Sequence, residues 1–258
     1  MLLAIDAGNT NITLGLFREQ QLIAQWRLLT ERERSGDEYE ADVRTVFERA
    51  GMDRGAVHGI AIASVVPQLD HALRQIAASF SIAPLFVDHT TDTGLKLLYH
   101  PPSDLGADRI VDAVAAMNKY GTPCIVVDFG TATTFNAVSR NGEFLGGVIS
   151  PGLFTCAEAL FTRAARLPRV DFVRPAAVIG TSTVDAIQSG IYYGYAGLVD
   201  GVIARMVAAM GAVSRIVATG GLAPLIADAS QYIDAVDETL TLDGLRIVYE
   251  RSNSTEHH

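Results

Sequence analysis

The chain contains one short pattern twice, and this repetition constrains its fold more than any other feature. The segment IDAGNTNITLGLF (residues 5–17) aligns with VDFGTATTFNAV (residues 127–138) at an offset of 122 residues, which places Asp6 on Asp128. Each copy is an apolar strand that ends in Asp-x-Gly, followed by a polar turn and a second strand. One copy alone is typical of an ordinary hairpin. Two copies, each opening one half of the chain, predict a duplicated pair of domains.

The predicted elements agree with a duplication. Each half begins with three strands and continues with alternating helices and strands, which predicts two α/β domains, 1–118 and 119–258. The predicted strands are 2–5, 12–17, 22–28, 59–65, 85–87, 124–128, 133–138, 144–149, 215–218 and 245–249. The predicted helices are 39–50, 69–80, 106–119, 154–163, 183–210 and one that follows Gly221.

Composition limits the possible partners. The net charge is −9 and the arginines form no basic stripe, which argues against a nucleic-acid partner. The sequence offers neither a signal peptide nor a window of about twenty uncharged residues, so we expect no membrane partner. Two cysteines cannot build a disulfide framework or a four-ligand zinc site, and we therefore expect a cytoplasmic protein. The polar end, SNSTEHH, is assigned no role.

The two Asp-x-Gly hairpins suit phosphate binding. Glycine lets backbone N–H groups approach a phosphate closely, and an aspartate at a strand end can hold Mg²⁺ beside it. The segment ATGG (218–221) is either a plain strand-to-helix turn or a place where a flat base lies against the backbone. No GxxxxGK[ST] motif is present, so backbone dipoles, Mg²⁺ and arginine would have to neutralise the phosphate charge.

Six motifs in order along nearly the whole chain resemble type III pantothenate kinase. They are DAGNTN (6–11), GADR (106–109), DFGTATT (128–134), GGVISPG (146–152), TVDAIQSG (183–190) and ATGG (218–221). That family belongs to the superfamily of acetate and sugar kinases, heat-shock ATPases and actin. The resemblance implies two ribonuclease-H-like (actin-like ATPase) domains, each a mixed sheet of about five strands with flanking helices. It also implies phosphorylation of pantothenate by ATP to 4′-phosphopantothenate, the first step of coenzyme A synthesis.

The resemblance also assigns roles to residues. It implies that ATP binds to a first loop and one residue of the second hairpin: Asp6, Ala7, Gly8, Asn9, Thr10, Asn11, Ile12, Thr13 and Thr131. It implies that pantothenate binds to Tyr99, Gly106, Ala107, Asp108, Arg109 and Thr183, with Asp108 as the proton acceptor. Asp128 would hold K⁺ or NH₄⁺, and Asp6 would work with Mg²⁺. Some members carry a lysine within the first loop, where this chain has Thr13.

Asp108 has a plainer interpretation, because an aspartate in the first turn of a helix also stabilises the helix dipole. Asp104 suits that role, which favours catalysis for Asp108.

Four glycines form a stripe along the predicted helix 183–210: Gly190, Gly194, Gly197 and Gly201. Each costs about 1 kcal/mol relative to alanine, so a closely packed second helix is expected to offset them. That helix could belong to the same chain. Because the family forms homodimers, we expect a dimer interface.

Three other functions remain open. Relatives described as Bvg accessory factors are credited with a transcriptional role, which phosphorylation of pantothenate would distinguish. An actin-like ATPase switch usually needs larger inserted subdomains than this chain can hold. The third alternative is another small-molecule kinase of the same fold, and only GADR and Tyr99 argue against it.

Overall fold

The computed structural model describes residues 1–164 and 166–255, so His257 and His258 of the polar end lie outside the described residues. The strands are β1 (Leu2–Ala7), β2 (Asn11–Arg18), β3 (Gln21–Leu29), β4 (Gly59–Ser64), β5 (Leu85–Phe86), β6 (Lys96–Leu97), β7 (Cys124–Phe129), β8 (Ala132–Val138), β9 (Glu143–Pro151), β10 (Arg215–Thr219) and β11 (Ala235–Val236). The α-helices are α1 (Gly36–Arg49), α2 (Asp70–Ala78), α3 (Ala107–Tyr120), α4 (Leu153–Arg163), α5 (Thr183–Met210), α6 (Ala223–Ala227) and α7 (Leu240–Thr255).

The first compact unit contains a mixed sheet in the order β3-β2-β1-β4-β5. Strand β1 is antiparallel to β2 and parallel to β4. One face of the sheet is covered by α1 and α2, whose side chains Tyr39, Phe47 and Leu73 join Ile5 and Leu14 in one buried cluster. The predicted α/β class of this half is confirmed.

The second compact unit repeats this pattern. Its strands lie in the order β11-β10-β7-β8-β9, with β7 antiparallel to β8 and parallel to β10. Strand β7 therefore has the place in its sheet that β1 has in the other. The duplication read from the two Asp-x-Gly hairpins is confirmed at the level of strand pairing.

The predicted strand at 245–249 was wrong, because these residues lie within helix α7. The segment LRIVY is a short apolar run, and periodicity alone does not separate a buried strand from a buried helix. Helix α7 packs on the first sheet, where Leu242 covers Gly15. The first unit is therefore residues 1–115 together with α7, and the second is 116–239, which differs from the predicted division at 118. Strands β6 and β11 are only two residues long and were missed.

Within the described ranges, no helix combines the length and apolar character needed to cross a bilayer.

Helix α7 holds α3 through a contact that only glycine allows. A Cβ at Gly244 would lie 2.1 Å from the carbonyl oxygen of Val111. Beside this contact, the Thr241 hydroxyl donates a hydrogen bond to Asp112 Oδ1 at 2.7 Å. We expect Gly244→Ala to lower the free energy of unfolding by about 1–3 kcal/mol, because the methyl group forces two packed backbones apart. This expected loss is net of the roughly 1 kcal/mol that alanine gains in helix propensity. Urea denaturation measures it, and an unchanged midpoint would contradict the close packing.

Candidate active site

The first loop joins β1 to β2 in a tight turn. The N–H of Gly8 donates to the carbonyl oxygen of Asn11 at 2.9 Å, and a Cβ at Gly8 would lie only 3.3 Å from that oxygen. Asp6 is half-buried at the end of β1, whereas Asn9 and Thr10 are exposed at the tip. The loop is therefore compact, with little space beside Gly8, as expected of a backbone that approaches a phosphate closely.

The segment after β3 fixes this loop from outside. The Thr30 hydroxyl donates to the carbonyl oxygen of Gly8 at 2.7 Å, and the Thr30 N–H donates to that of Thr10 at 3.0 Å. Arg32 Nη2 donates to Asn9 Oδ1 at 3.1 Å. These three bonds tie the loop to the segment that follows β3.

The GADR segment (106–109) lies at the edge of the first sheet where β1 ends and the first loop begins. A Cβ at Gly106 would lie 2.5 Å from Asp108 Oδ1 and 3.3 Å from Val65 Cγ1, so a side chain there would displace the Asp108 carboxylate. The Val65 N–H in turn donates to the carbonyl oxygen of Ala7 at 3.1 Å. Val65 thus links the start of α3 to the end of β1. The structure brings Asp108 and the first loop together within one unit.

Asp108 is held in the first turn of α3. Its Oδ1 accepts a hydrogen bond from the Arg109 N–H at 2.7 Å. Burial raises the pKa of the Asp108 carboxyl, and this hydrogen bond and the nearby Arg109 charge oppose the rise. Asp104 lies just upstream of α3, where its carboxylate accepts the Ser103 hydroxyl at 3.3 Å. Asp108 therefore contacts the helix end and also carries a perturbed pKa, which is typical of a functional carboxylate.

Tyr99 and Arg109 form a pair beside this carboxylate. The Arg109 guanidinium carbon lies 5.5 Å from the centroid of the Tyr99 ring, a cation–π distance. Arg109 is buried, with 6% of its surface exposed, whereas Tyr99 is half-buried. The predicted pantothenate residues 99 and 106–109 are thus neighbours in the first unit.

In the second unit, the ATGG turn lies against the second hairpin. Gly220 has a φ of 89°, and a Cβ there would lie 2.6 Å from Asp128 Oδ1. Both features require glycine. Asp128 is half-buried, with its carboxylate at the end of β7. The close approach to Asp128 is sufficient reason for a glycine at position 220. Binding of a flat base at the ATGG turn stays a prediction.

The start of α4 supports Thr131. The carbonyl oxygen of Thr131 accepts hydrogen bonds from the Gly152 N–H at 3.1 Å and from the Thr155 hydroxyl at 2.9 Å. Thr131 itself is exposed. The second hairpin is therefore anchored to the start of α4, and Thr131 at its tip is exposed to solvent, where a nucleotide could contact it.

Tyr195 is a site-supporting residue that the sequence interpretation missed. Its hydroxyl lies 2.5 Å from the buried Thr133 hydroxyl and donates to the carbonyl oxygen of Pro151 at 3.0 Å. It joins α5 to β8 and β9. A buried tyrosine on an apolar helix carries no sequence signal for this role.

Thr183 begins α5, next to the Ser182 hydroxyl that accepts the Asp185 N–H at 3.1 Å. Thr183 lines an apolar groove of about 690 Å³ between α4 and α5. The groove is lined by Leu153, Cys156, Ala157, Leu160, Leu167, Thr183, Ala186, Ile187, Gly190, Ile191, Gly194, Tyr195 and Leu198. Thr183 therefore adds a hydroxyl to the end of an otherwise apolar surface.

The carboxylates of the two hairpins suit cations that take their remaining ligands from water or from a bound nucleotide. Among the described residues, no three His, Cys, Asp or Glu side chains cluster as a metal site. Asp6 and Asp128 each offer a half-buried carboxylate beside a glycine turn. Mg²⁺ commonly binds one or two carboxylates and completes its shell with water and phosphate oxygens. A single carboxylate per hairpin therefore fits ions that share their ligands with a nucleotide.

Comparisons with known proteins point in one direction. The sequence profile of type III pantothenate kinases matches residues 2–205. A type III pantothenate kinase from Koribacter versatilis is 53% identical over 265 residues, which covers 98% of this chain and 97% of the relative. Another from Anaeromyxobacter sp. is 52% identical over 253 residues and covers 98% of this chain and 100% of the relative.

Solved structures share the fold at low sequence identity. A Campylobacter jejuni protein named for the Baf family of transcriptional activators has a TM-score of 0.60 at 21% identity, covering 97% of this chain and 99% of its own. A Streptomyces griseus glucokinase of the ROK family, solved with glucose and AMPPNP, has a TM-score of 0.57 at 11% identity, covering 97% and 98%. At these identities the likeness shows the fold alone.

Proposed function

The chain belongs to the type III pantothenate kinase family and phosphorylates pantothenate in coenzyme A biosynthesis, and we propose that Asp108 is the general base of the reaction. The near-full-length identity with type III pantothenate kinases supports the activity. The position of Asp108 supports its role, because Gly106 packs on Val65 and Val65 is hydrogen-bonded to the end of β1, which places the start of α3 at that strand end. A carboxylate that accepts the alcohol proton is a common small addition to phosphoryl transfer.

Pantothenate would be held by the residues around this carboxylate. The Gly106 and Ala107 backbone would line the substrate at the start of α3, and Arg109 offers a buried positive charge for the pantothenate carboxylate. Stacking against Tyr99 orients that guanidinium. Thr183 would add a hydroxyl from the first turn of α5.

ATP would be bound through its phosphates by the first loop, Asp6–Thr13, and through Thr131 of the second hairpin. The matching tight turns support this assignment, because Gly8 N–H donates to the Asn11 carbonyl oxygen and Gly130 N–H donates to that of Ala132. Mg²⁺ held with Asp6 would neutralise phosphate charge. K⁺ or NH₄⁺ held by Asp128 would add positive charge near the second hairpin.

The activity itself is tested with the purified protein. ATP, Mg²⁺, K⁺ and a panel of small alcohols are incubated with it, and products are identified by mass spectrometry. Phosphopantothenate is expected, whereas phosphorylation of another alcohol in its place would indicate a different kinase of this fold. Sequence-specific DNA binding without phosphopantothenate formation would favour the Bvg-accessory-factor alternative, which the Baf family likeness supports only at the level of fold.

The monovalent cation assignment makes a separate prediction. Turnover should be low in Na⁺ or Tris buffers and should rise on addition of K⁺ or NH₄⁺. Asp128→Ala should abolish this response, because it removes the carboxylate ligand at the end of β7. Asp104→Ala, which removes an exposed carboxylate from the first unit, should keep the response. Equal activity of the wild type in all monovalent salts would leave Asp128 as a structural residue of its hairpin.

The protein would act as a homodimer through α5. This 28-residue helix carries only three charged residues, Asp185, Asp200 and Arg205. Its exposed surface includes Tyr193, Leu198 and the groove against α4. A helix that is apolar on all sides needs cover, and a second copy would supply it. A cytoplasmic location stays a prediction, with which the free thiols of Cys124 and Cys156 are consistent.

A further inference from the structure

Three side chains from three strands form a row across the first sheet. Asp6 of β1 pairs with Thr13 of β2, and Thr13 pairs with Arg27 of β3. Partners that are directly opposite in antiparallel strands project on the same face of the sheet. Since neighbouring strands are about 4.8 Å apart, Arg27 lies two strands, or roughly 10 Å, from Asp6.

This row lies on the sheet face opposite the core formed with α1 and α2, which is the face that α7 covers at Gly15. Trp26 and Leu28, the chain neighbours of Arg27, pack against the core cluster of the first unit. Because side chains alternate along a strand, Arg27 projects to the opposite face, and it is exposed. Ile12 and Leu14 are buried on either side of the half-buried Thr13 in the same way. The row thus ends at the aspartate that begins the phosphate loop.

Arg27 has no protein partner in the described part of the chain. The two arginines that follow it are engaged otherwise. Arg32 donates to Asn9 Oδ1 in the loop, and Arg34 pairs with Asp42 at 2.8 Å. Arg27 is thus an exposed guanidinium without an ion-pair partner among the described residues, on the same sheet face as Asp6. We expect such an arrangement where an anionic ligand supplies the missing partner.

The phosphate loop itself supplies no cation. Residues 6–13 contain neither lysine nor arginine, and the chain's lysines are Lys96 and Lys119. Phosphoryl transfer nevertheless requires positive charge at the transferred group. Thr13 is short, so the three-methylene stem of Arg27 can pass over it towards the end of β1.

We propose that Arg27 reaches across Thr13 and binds the γ-phosphate of ATP beside Asp6. This inference rests on the proposed function. It assigns to a neighbouring strand the positive charge that the loop lacks. Because ADP has no γ-phosphate, the contact distinguishes ATP from ADP.

The test compares the dissociation constants of ATP and ADP by calorimetry. Arg27→Ala should weaken ATP binding by about 10- to 100-fold, the range for a charge-assisted contact, and ADP binding by less than about twofold. Arg27→Gln keeps most of the stem and should give the same selective loss. Arg18→Ala is the matched control, since Arg18 is an exposed arginine at the far end of the same hairpin. It should leave both constants unchanged.

A compensating change sharpens the test. Thr13→Lys in the Arg27→Ala background places an ammonium in the middle of the row and should restore the preference for ATP. If Arg27→Ala and Arg27→Gln keep the wild-type ratio of ATP to ADP affinity, or if both nucleotides weaken equally, the proposal is overturned. A wild type that binds no ATP and forms no phosphopantothenate would instead refute the proposed function.

Discussion

Asp108→Asn should lower the turnover of pantothenate by about 10²–10⁴-fold, the usual effect of removing a general base. The amide keeps the size of the side chain and an oxygen that can accept the Arg109 N–H, so the start of α3 should be preserved. It cannot accept the alcohol proton. Steady-state kinetics with pantothenate and ATP measure the loss in kcat, and circular dichroism checks the fold.

The pH dependence adds a second measurement. Because the pKa of Asp108 is raised by burial, wild-type kcat/KM should fall on acidification at a higher pH than for an ordinary aspartate. Asp108→Asn should lose this acidic limb. The sign for stability is opposite to that for activity. A folded pKa above the unfolded one means that stability is greatest below the unfolded pKa and falls as pH rises through the folded value. The asparagine variant should therefore melt no lower than wild type at neutral pH.

Asp104→Asn is the control, because Asp104 is an exposed carboxylate one turn upstream that contacts Ser103. It should keep both turnover and the acidic limb. An Asp108→Asn protein with wild-type turnover would remove Asp108 from the mechanism and leave it as a helix-end residue.

The bounds of an element could be predicted from the sequence where a capping residue precedes it and a helix-ending residue follows it. Helix α5 begins and ends where predicted, since Ser182 caps its start and Gly211, with a φ of 82°, ends it. The two hairpins were found because each repeats the other. Residues 245–249 were misassigned because their burial comes from packing on β1 and β4, which lie at the other end of the chain.

Only the parts of the candidate site that lie within one contiguous motif could be predicted from the sequence. GADR is contiguous, and its internal geometry follows from a glycine before a helix. The row of Asp6, Thr13 and Arg27 depends on strand register, which is set by pairing between strands and not by any one segment. Tyr195 was missed for a similar reason, because its hydroxyl meets Thr133 and Pro151 only after α5 has packed on the sheet.

Gly197→Leu should convert the expected dimer to monomer or aggregate and should abolish most pantothenate turnover. Gly197 is exposed on α5, and a Cβ there meets nothing within 4 Å in the described part of the chain. A Cβ therefore has open space within one copy, and we expect the leucine to act on a second copy. Small residues let helix axes approach more closely than the ordinary separation of about 8–10 Å, and leucine would force them apart. Light scattering at micromolar concentration measures the assembly.

The same variant tests whether the interface and the substrate site are linked. Thr183 and the glycines Gly190 and Gly194 line one groove, so separating two copies of α5 should also disturb the pantothenate contact. Nucleotide binding should be affected less, because the first loop is built on β1 and β2. Ala209→Leu is the matched control, since Ala209 is exposed on the same helix about 120° around its axis from Gly197. It should leave both assembly and turnover unchanged. A monomeric Gly197→Leu protein with full activity would break the link between interface and site, and a monomeric wild type would refute the dimer itself.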